Sequence, residues 1–191
     1  LRKMPVVLAN GTLALPDAYS VMVDDCRGVE MAVEHLVKTG RRNLYYIKDK
    51  ATDSAAAKAK GFLSGMTGAG LDADGHILET GETLEDGIRA VQQLLAEGIR
   101  PDGILCGEDL TAAGVLKALI RAGIRVPEET AVVGYDNSTY ARLCEPELTS
   151  VDNKPEQVAL LCVQLLQSRI EHGEDYSSVT LQPELVQRQS S

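Results

Sequence analysis

Apolar runs bounded by turn residues alternate along this chain with stretches of helical period, the pattern of a parallel sheet with crossover helices. Strands are predicted at Pro5 to Ala9, Tyr19 to Val23, Asn43 to Ile47, Gly103 to Cys106, Thr130 to Gly134 and Thr149 to Val151. Between them, Val29, Ala32, Val33, Leu36 and Val37 share one face of a helix that stops at Gly40, a C-terminal glycine signal. Asp53 or Ser54 can cap a second helix running through Phe62 to about Thr67. A third carries Ile88, Val91, Leu94 and Leu95 and ends at Gly98, and a fourth presents Ala112, Val115, Leu116 and Leu119 and ends at Gly123. Pro155 leads the last helix, with proline at its favoured first position. The tail, Gln187 to Ser191, is polar and expected to fray.

The fold class predicted is therefore α/β, a doubly wound parallel sheet. In such sheets ligands bind outside the carboxyl ends of the strands. Those ends here are Asn10, Asp24-Asp25, the stretch 49–54, Gly107-Glu108-Asp109 and Tyr135-Asp136-Asn137, so nearly every strand exits into a polar or acidic group. Polar loops also favour Asp and Asn simply as caps and turns.

Composition narrows the functions. Hydrophobic residues make up 44% of the 191, enough for a core. The balance of 19 basic against 28 acidic residues gives a net charge of -9, which argues against nucleic-acid binding by these residues, because a DNA surface needs clustered Lys and Arg. The apolar stretch Met4 to Ala9 is too short for a signal peptide or membrane span. Cys26, Cys106, Cys144 and Cys162 stand alone with no histidine at ligand spacing, which suggests neither zinc nor redox chemistry and fits a reducing cytoplasm. No nucleophile elbow, phosphate loop, dinucleotide fingerprint or metal cluster appears, so no enzyme and no cofactor is expected.

Three stretches carry a resemblance. Ala32-Val33-Glu34-His35-Leu36 with Thr39-Gly40-Arg41-Arg42 comes first, then Pro101 to Gly114. Gly123-Ile124-Arg125-Val126-Pro127, Val133-Gly134-Tyr135-Asp136-Asn137 and Pro146-Glu147-Leu148-Thr149-Ser150-Val151 complete the order. Together, from Met4 to Arg188, the chain resembles the effector-binding domain of LacI/GalR-family transcription regulators, a periplasmic-binding-protein-like fold.

The resemblance implies an N-terminally truncated domain with a complete C-terminal lobe and an incomplete N-terminal lobe. Residues 1–24 would be a remnant of the N-terminal lobe, 25–152 the C-terminal lobe, 153–178 a return segment, and 179–191 the final C-terminal-lobe strand and tail. Without its other strands, Pro5 to Ala9 and the last helix would leave apolar faces exposed, swapped or poorly ordered. The implied function is a cytoplasmic effector sensor that binds a small polar molecule, a sugar or related metabolite, between two lobes. A homodimer would reach operator DNA through a headpiece absent from the chain. The alternative is a periplasmic-type solute-binding protein of a transporter.

Matched positions nominate Asn10, Lys58, Glu108 and Asp136 as ligand contacts. Lys58 stands where arginine is usual and Glu108 where asparagine is frequent; lysine lacks arginine's bidentate fork, and an ionised glutamate cannot donate as an amide does. Asp109 could touch ligand, although N-cap preference favours a helix cap. Glu82 matches a pocket position but lies in a polar loop, and Asn153 is a ligand or hinge candidate. Self-association would use the helix containing Leu116 and the turn at Leu143 and Cys144, which an ordinary core turn would also explain.

Overall fold

The computed structural model describes residues 5–11, 18–48, 52–172 and 177–191. Asp49, Lys50 and Ala51, three of the predicted strand-exit residues, lie outside them, as do parts of the expected 1–24 and 153–178 segments. The chain divides into a smaller unit, residues 1–24 and 154–183, and a larger one, residues 25–153 and 184–191.

In the smaller unit β1 (Val6–Ala9) pairs parallel with β2 (Ala18–Val23), and β2 with β8 (Val179–Leu181). Helix α6 (Pro155–His172) packs on this sheet, closing a core of Val21, Val23 and Val158 with Val7, Leu161, Cys162, Leu165 and Leu181. The segment 179–191 is therefore not one piece of the larger lobe: Val179–Leu181 hydrogen-bonds to β2, and only Glu184 onward joins the larger unit. Pro5 to Ala9 does have a strand neighbour, on one side. The expected apolar exposure falls on α6, where Leu160, Val163 and Ile170 are 57%, 61% and 67% exposed. That helix carries apolar residues on more than one face, and one sheet can cover only one of its faces.

The larger unit has the sheet order β4-β3-β5-β6-β7-β9, built from β3 (Leu44–Lys48), β4 (Ile77–Glu79), β5 (Gly103–Cys106), β6 (Ala131–Tyr135), β7 (Thr149–Asp152) and β9 (Glu184–Val186). All pairs are parallel except β7 with β9. Because β4 lies on one side of β3 and β5 on the other, the order reverses there, and this is the switch point of a doubly wound sheet. Side chains alternate along each strand and feed two cores. Leu105, Ala131, Val133 and Tyr135 meet α1 (Asp25–Lys38) and α2 (Asp53–Gly68) on one face. Ile104, Cys106 and Val132 meet α3 (Leu84–Ala96) and α4 (Asp109–Arg121) on the other, where Ala141 of the short helix α5 (Thr139–Leu143) also packs.

Local chemistry sets the helix ends. Thr52, one residue ahead of the expected Asp53 or Ser54, caps α2 by accepting from the Ala55 N–H at 3.0 Å. Thr83 and Asp86 form a reciprocal capping box on α3. The tail does not fray: Ser190 is fully buried, its Oγ donating to the Val132 carbonyl at 2.6 Å and accepting from the Thr149 N–H at 2.9 Å. Arg188 adds bonds to the Leu148 carbonyl and to Asn137 Oδ1.

Candidate functional site

Lys58 projects from α2 to the carboxyl end of the sheet and is only 5% exposed. Its ammonium donates to the Gly107 carbonyl at 2.8 Å and lies 4.1 Å from the centroid of the Tyr135 ring. Gly107 follows β5 directly, and its own N–H donates to Ile47 O of β3, so Lys58 is anchored at the switch point. A buried ammonium is tolerated here because a carbonyl and an aromatic face replace part of its hydration.

Asp136 follows β6 with φ of 101°, a left-handed conformation costly for any residue but glycine. It is held there because its N–H donates to Val151 O and its Oδ1 accepts from Asn153 Nδ2 at 2.8 Å. Burial pushes its carboxyl up to about 7. The Asp109, Glu108 and Asp25 charges push the same way, against the Lys58 ammonium. Asn153 Oδ1 is buried and has no hydrogen-bond partner among the described residues.

Asp25, at the start of α1, joins three elements. Its two oxygens accept from Tyr135 OH and from Ser54 Oγ, each at 2.6 Å. The Tyr135 hydroxyl is strongly shifted toward its neutral form by burial and by Asp25. The sequence pointed to Asp25 only as a strand-exit residue; its pairing with Tyr135 spans 110 positions and leaves no local signal.

The remaining nominated residues fall into three groups. Glu108, half-exposed, is the N-cap residue of α4 without capping it through its side chain. Asp109 is not a cap either. It is 1% exposed and accepts from Ser138 N–H at 2.6 Å, Ser138 Oγ at 2.9 Å and Ser150 Oγ at 2.6 Å, tying α4 to the β6–α5 turn and to β7. Burial raises the Asp109 carboxyl, and these hydrogen bonds oppose the rise. Glu82 is half-exposed ahead of α3 and makes no hydrogen bond to this cluster. Asn10, exposed and with φ of 49°, ends β1 in the smaller unit, so it forms no constellation with the others within either unit.

Of the nominated association residues, Leu143 is 76% exposed and Cys144 half-buried. Leu116 is a core residue, 2% exposed, because it faces the sheet side of α4; Ile120, 48% exposed, is the outward apolar residue of that helix. An open groove beside them is lined by Ala113, Leu116, Lys117, Ile120, Cys144 and Glu145.

Among the described residues no group of three or more His, Cys, Asp or Glu could hold a metal ion, and no helix is long and apolar enough to cross a membrane. The cluster at the strand ends offers fixed acceptors and, in Lys58 and Arg188, cations committed to hydrogen bonds within the protein. It can orient a hydrogen-bonding molecule.

A doubly wound sheet with polar groups gathered at its switch point defines a class of small-molecule-binding domains, and residues 33–191 match the family of periplasmic binding protein-like domains. The chain belongs to that family, in its LacI branch of transcription regulators. It is 30% identical to a LacI transcriptional regulator from a Rhodococcus species, with a TM-score of 0.90 over 98% of this chain and 69% of that one. It is 31% identical to the HTH-type transcriptional repressor PurR of Salmonella typhi over 99% of its own length. A transcriptional regulator CelR–cellobiose complex matches at 28% identity and a TM-score of 0.87, covering 97% of this chain and 58% of that one. The chain spans 57% of the length of the curated relatives it matches.

Proposed function

We propose that these residues are the effector-sensing part of a cytoplasmic DNA-binding regulator, taking a small polar molecule, a sugar or related metabolite. The observation that carries the reading is the placing of Lys58 and Asp136 at the carboxyl end of the sheet, a buried ammonium and a carboxyl on a left-handed backbone, with the half-exposed Glu108 acting on the same carboxyl. Asn153 positions Asp136, and Asn10 is the smaller unit's candidate contact. The names of the relatives favour a regulator over a transporter's solute-binding protein.

Signalling would follow from differential affinity: an effector shifts a two-state equilibrium only as far as it prefers one state. Readout would pass through a homodimer formed at Leu143, Cys144 and the α4 groove above Leu116. Operator DNA would be engaged by a segment outside these residues, whose net charge of -9 is unsuited to it. The exposed face of α6 is where further strands of a longer protein would pack.

The test is calorimetric titration with D-glucose, D-ribose and cellobiose. Saturable binding of at least one, lost on Asp136→Ala while the fold is retained by circular dichroism, is the expected result. Silence with all three, or binding indifferent to Asp136, would overturn the reading.

A further inference from the structure

The charge around Asp136 is lopsided. Among the described residues, the charges acting on its carboxyl are Asp25 at the start of α1, Glu108 just ahead of α4, Asp109 at the start of α4 and one cation, Lys58 from α2. The Lys58 ammonium is already engaged by the Gly107 carbonyl and the Tyr135 ring. A second observation concerns hydrogen-bond polarity rather than charge. Asn153 turns its Nδ2 toward Asp136, which leaves its buried Oδ1 as an acceptor with no donor among the described residues. An amide facing the ionised form of Asp136 has no other useful orientation, because an ionised carboxylate can only accept. A buried acceptor left unmade is costly, so a group that supplies a donor gains there.

We propose, on the effector-binding reading above, that this part of the site takes an uncharged molecule rich in hydroxyl donors and refuses phosphorylated or carboxylated ones. An anion would meet three carboxylates and the Asp136 carboxyl, while the described cations acting on them are committed, Lys58 to the Gly107 carbonyl and Arg188, which acts on Asp109, to the Leu148 carbonyl and Asn137 Oδ1. A hydroxyl donor meets acceptors at Asp136 and at Asn153 Oδ1.

Proton linkage follows. Burial pushes the Asp136 carboxyl up to about 7, and a ligand donating to it stabilises the ionised form. Binding then releases a proton below that value, so affinity rises with pH up to it and levels off above. With at most one proton released, the rise from pH 6 to pH 8 is about tenfold.

The experiment is calorimetry with the same chain at pH 6 and pH 8, pairing D-glucose with glucose 6-phosphate and D-glucuronate, and D-ribose with ribose 5-phosphate. Alongside it, the Asp136 carboxyl carbon is titrated by NMR. A neutral probe that binds about tenfold more tightly at pH 8, and more tightly than its anionic counterparts at both pH values, with an Asp136 midpoint near 7, is the expected result. An anionic probe matching or exceeding its neutral parent, or an affinity flat in pH, overturns the inference and leaves the sensor reading standing. No binding by any probe removes the sensor reading, and the inference falls with it.

Discussion

Lys58 is the residue on which site and stability most directly depend. Replacing it with Met removes the donor to the Gly107 carbonyl and the cation over Tyr135 while keeping the aliphatic stem. The expected loss is about 2 kcal/mol in denaturant unfolding, together with an Asp136 midpoint above the wild-type value, since Lys58 is what pulls it down. Asp136 also imposes a pH dependence. Its folded carboxyl titrates at about 7, above the ordinary carboxylate value, so the folded state holds the proton longer than the unfolded chain and stability falls as pH rises from about 4 to about 7. Asp136→Asn should flatten that slope in thermal unfolding. Asp136 was legible from sequence as a polar strand exit and Lys58 only through the family resemblance; their partners were not legible. Asp109 reads locally as a cap, yet its carboxylate is spent on Ser138 and Ser150, 29 and 41 residues away. No local pattern carries a bond of that span.

At the level of elements, periodicity located the long helices and the central strands of the larger unit because both faces of each strand are apolar and each helix shows one stripe. It did not reach β4, three residues long, nor the short α5. The tail's polarity suggested fraying, but Ser190 completes hydrogen bonds to β6 and β7 that solvent would otherwise have to supply. The α1–α2 pair depends on Gly61, where a Cβ would collide with the Cys26 carbonyl. Gly61→Ala should force the two helices apart and cost about 1–3 kcal/mol by denaturant unfolding. Unchanged stability would mean that the pair is free to slide.

On the scale of the whole molecule, two groups of large apolar residues stay exposed among the described residues, besides the isolated Leu63. One is the outer face of α6; the other joins Ile120, Tyr140 and Leu143, which are 48%, 49% and 76% exposed. Large apolar residues gathered this way mark association surfaces, and the groove beside α4 gives the second a receptor shape. On the proposed homodimer, the wild-type chain should sediment as a dimer and Leu143→Glu as a monomer, without a lower unfolding midpoint, because Leu143 is 76% exposed and outside the core. The division at 24/25, 153/154 and 183/184 was approached from the resemblance alone, and it failed where Val179–Leu181 chose β2 as its partner. Two apolar residues flanking a threonine fit either sheet in pattern, and only pairing decides.

The most direct measurement of the central claim is amide chemical-shift mapping while D-glucose, D-ribose and cellobiose are titrated in turn. The account predicts saturable shifts from at least one sugar, centred on Gly107, Glu108, Asp136 and Asn153. Shifts confined to the groove around Ala113, Ile120 and Cys144, or none that saturate, would contradict it.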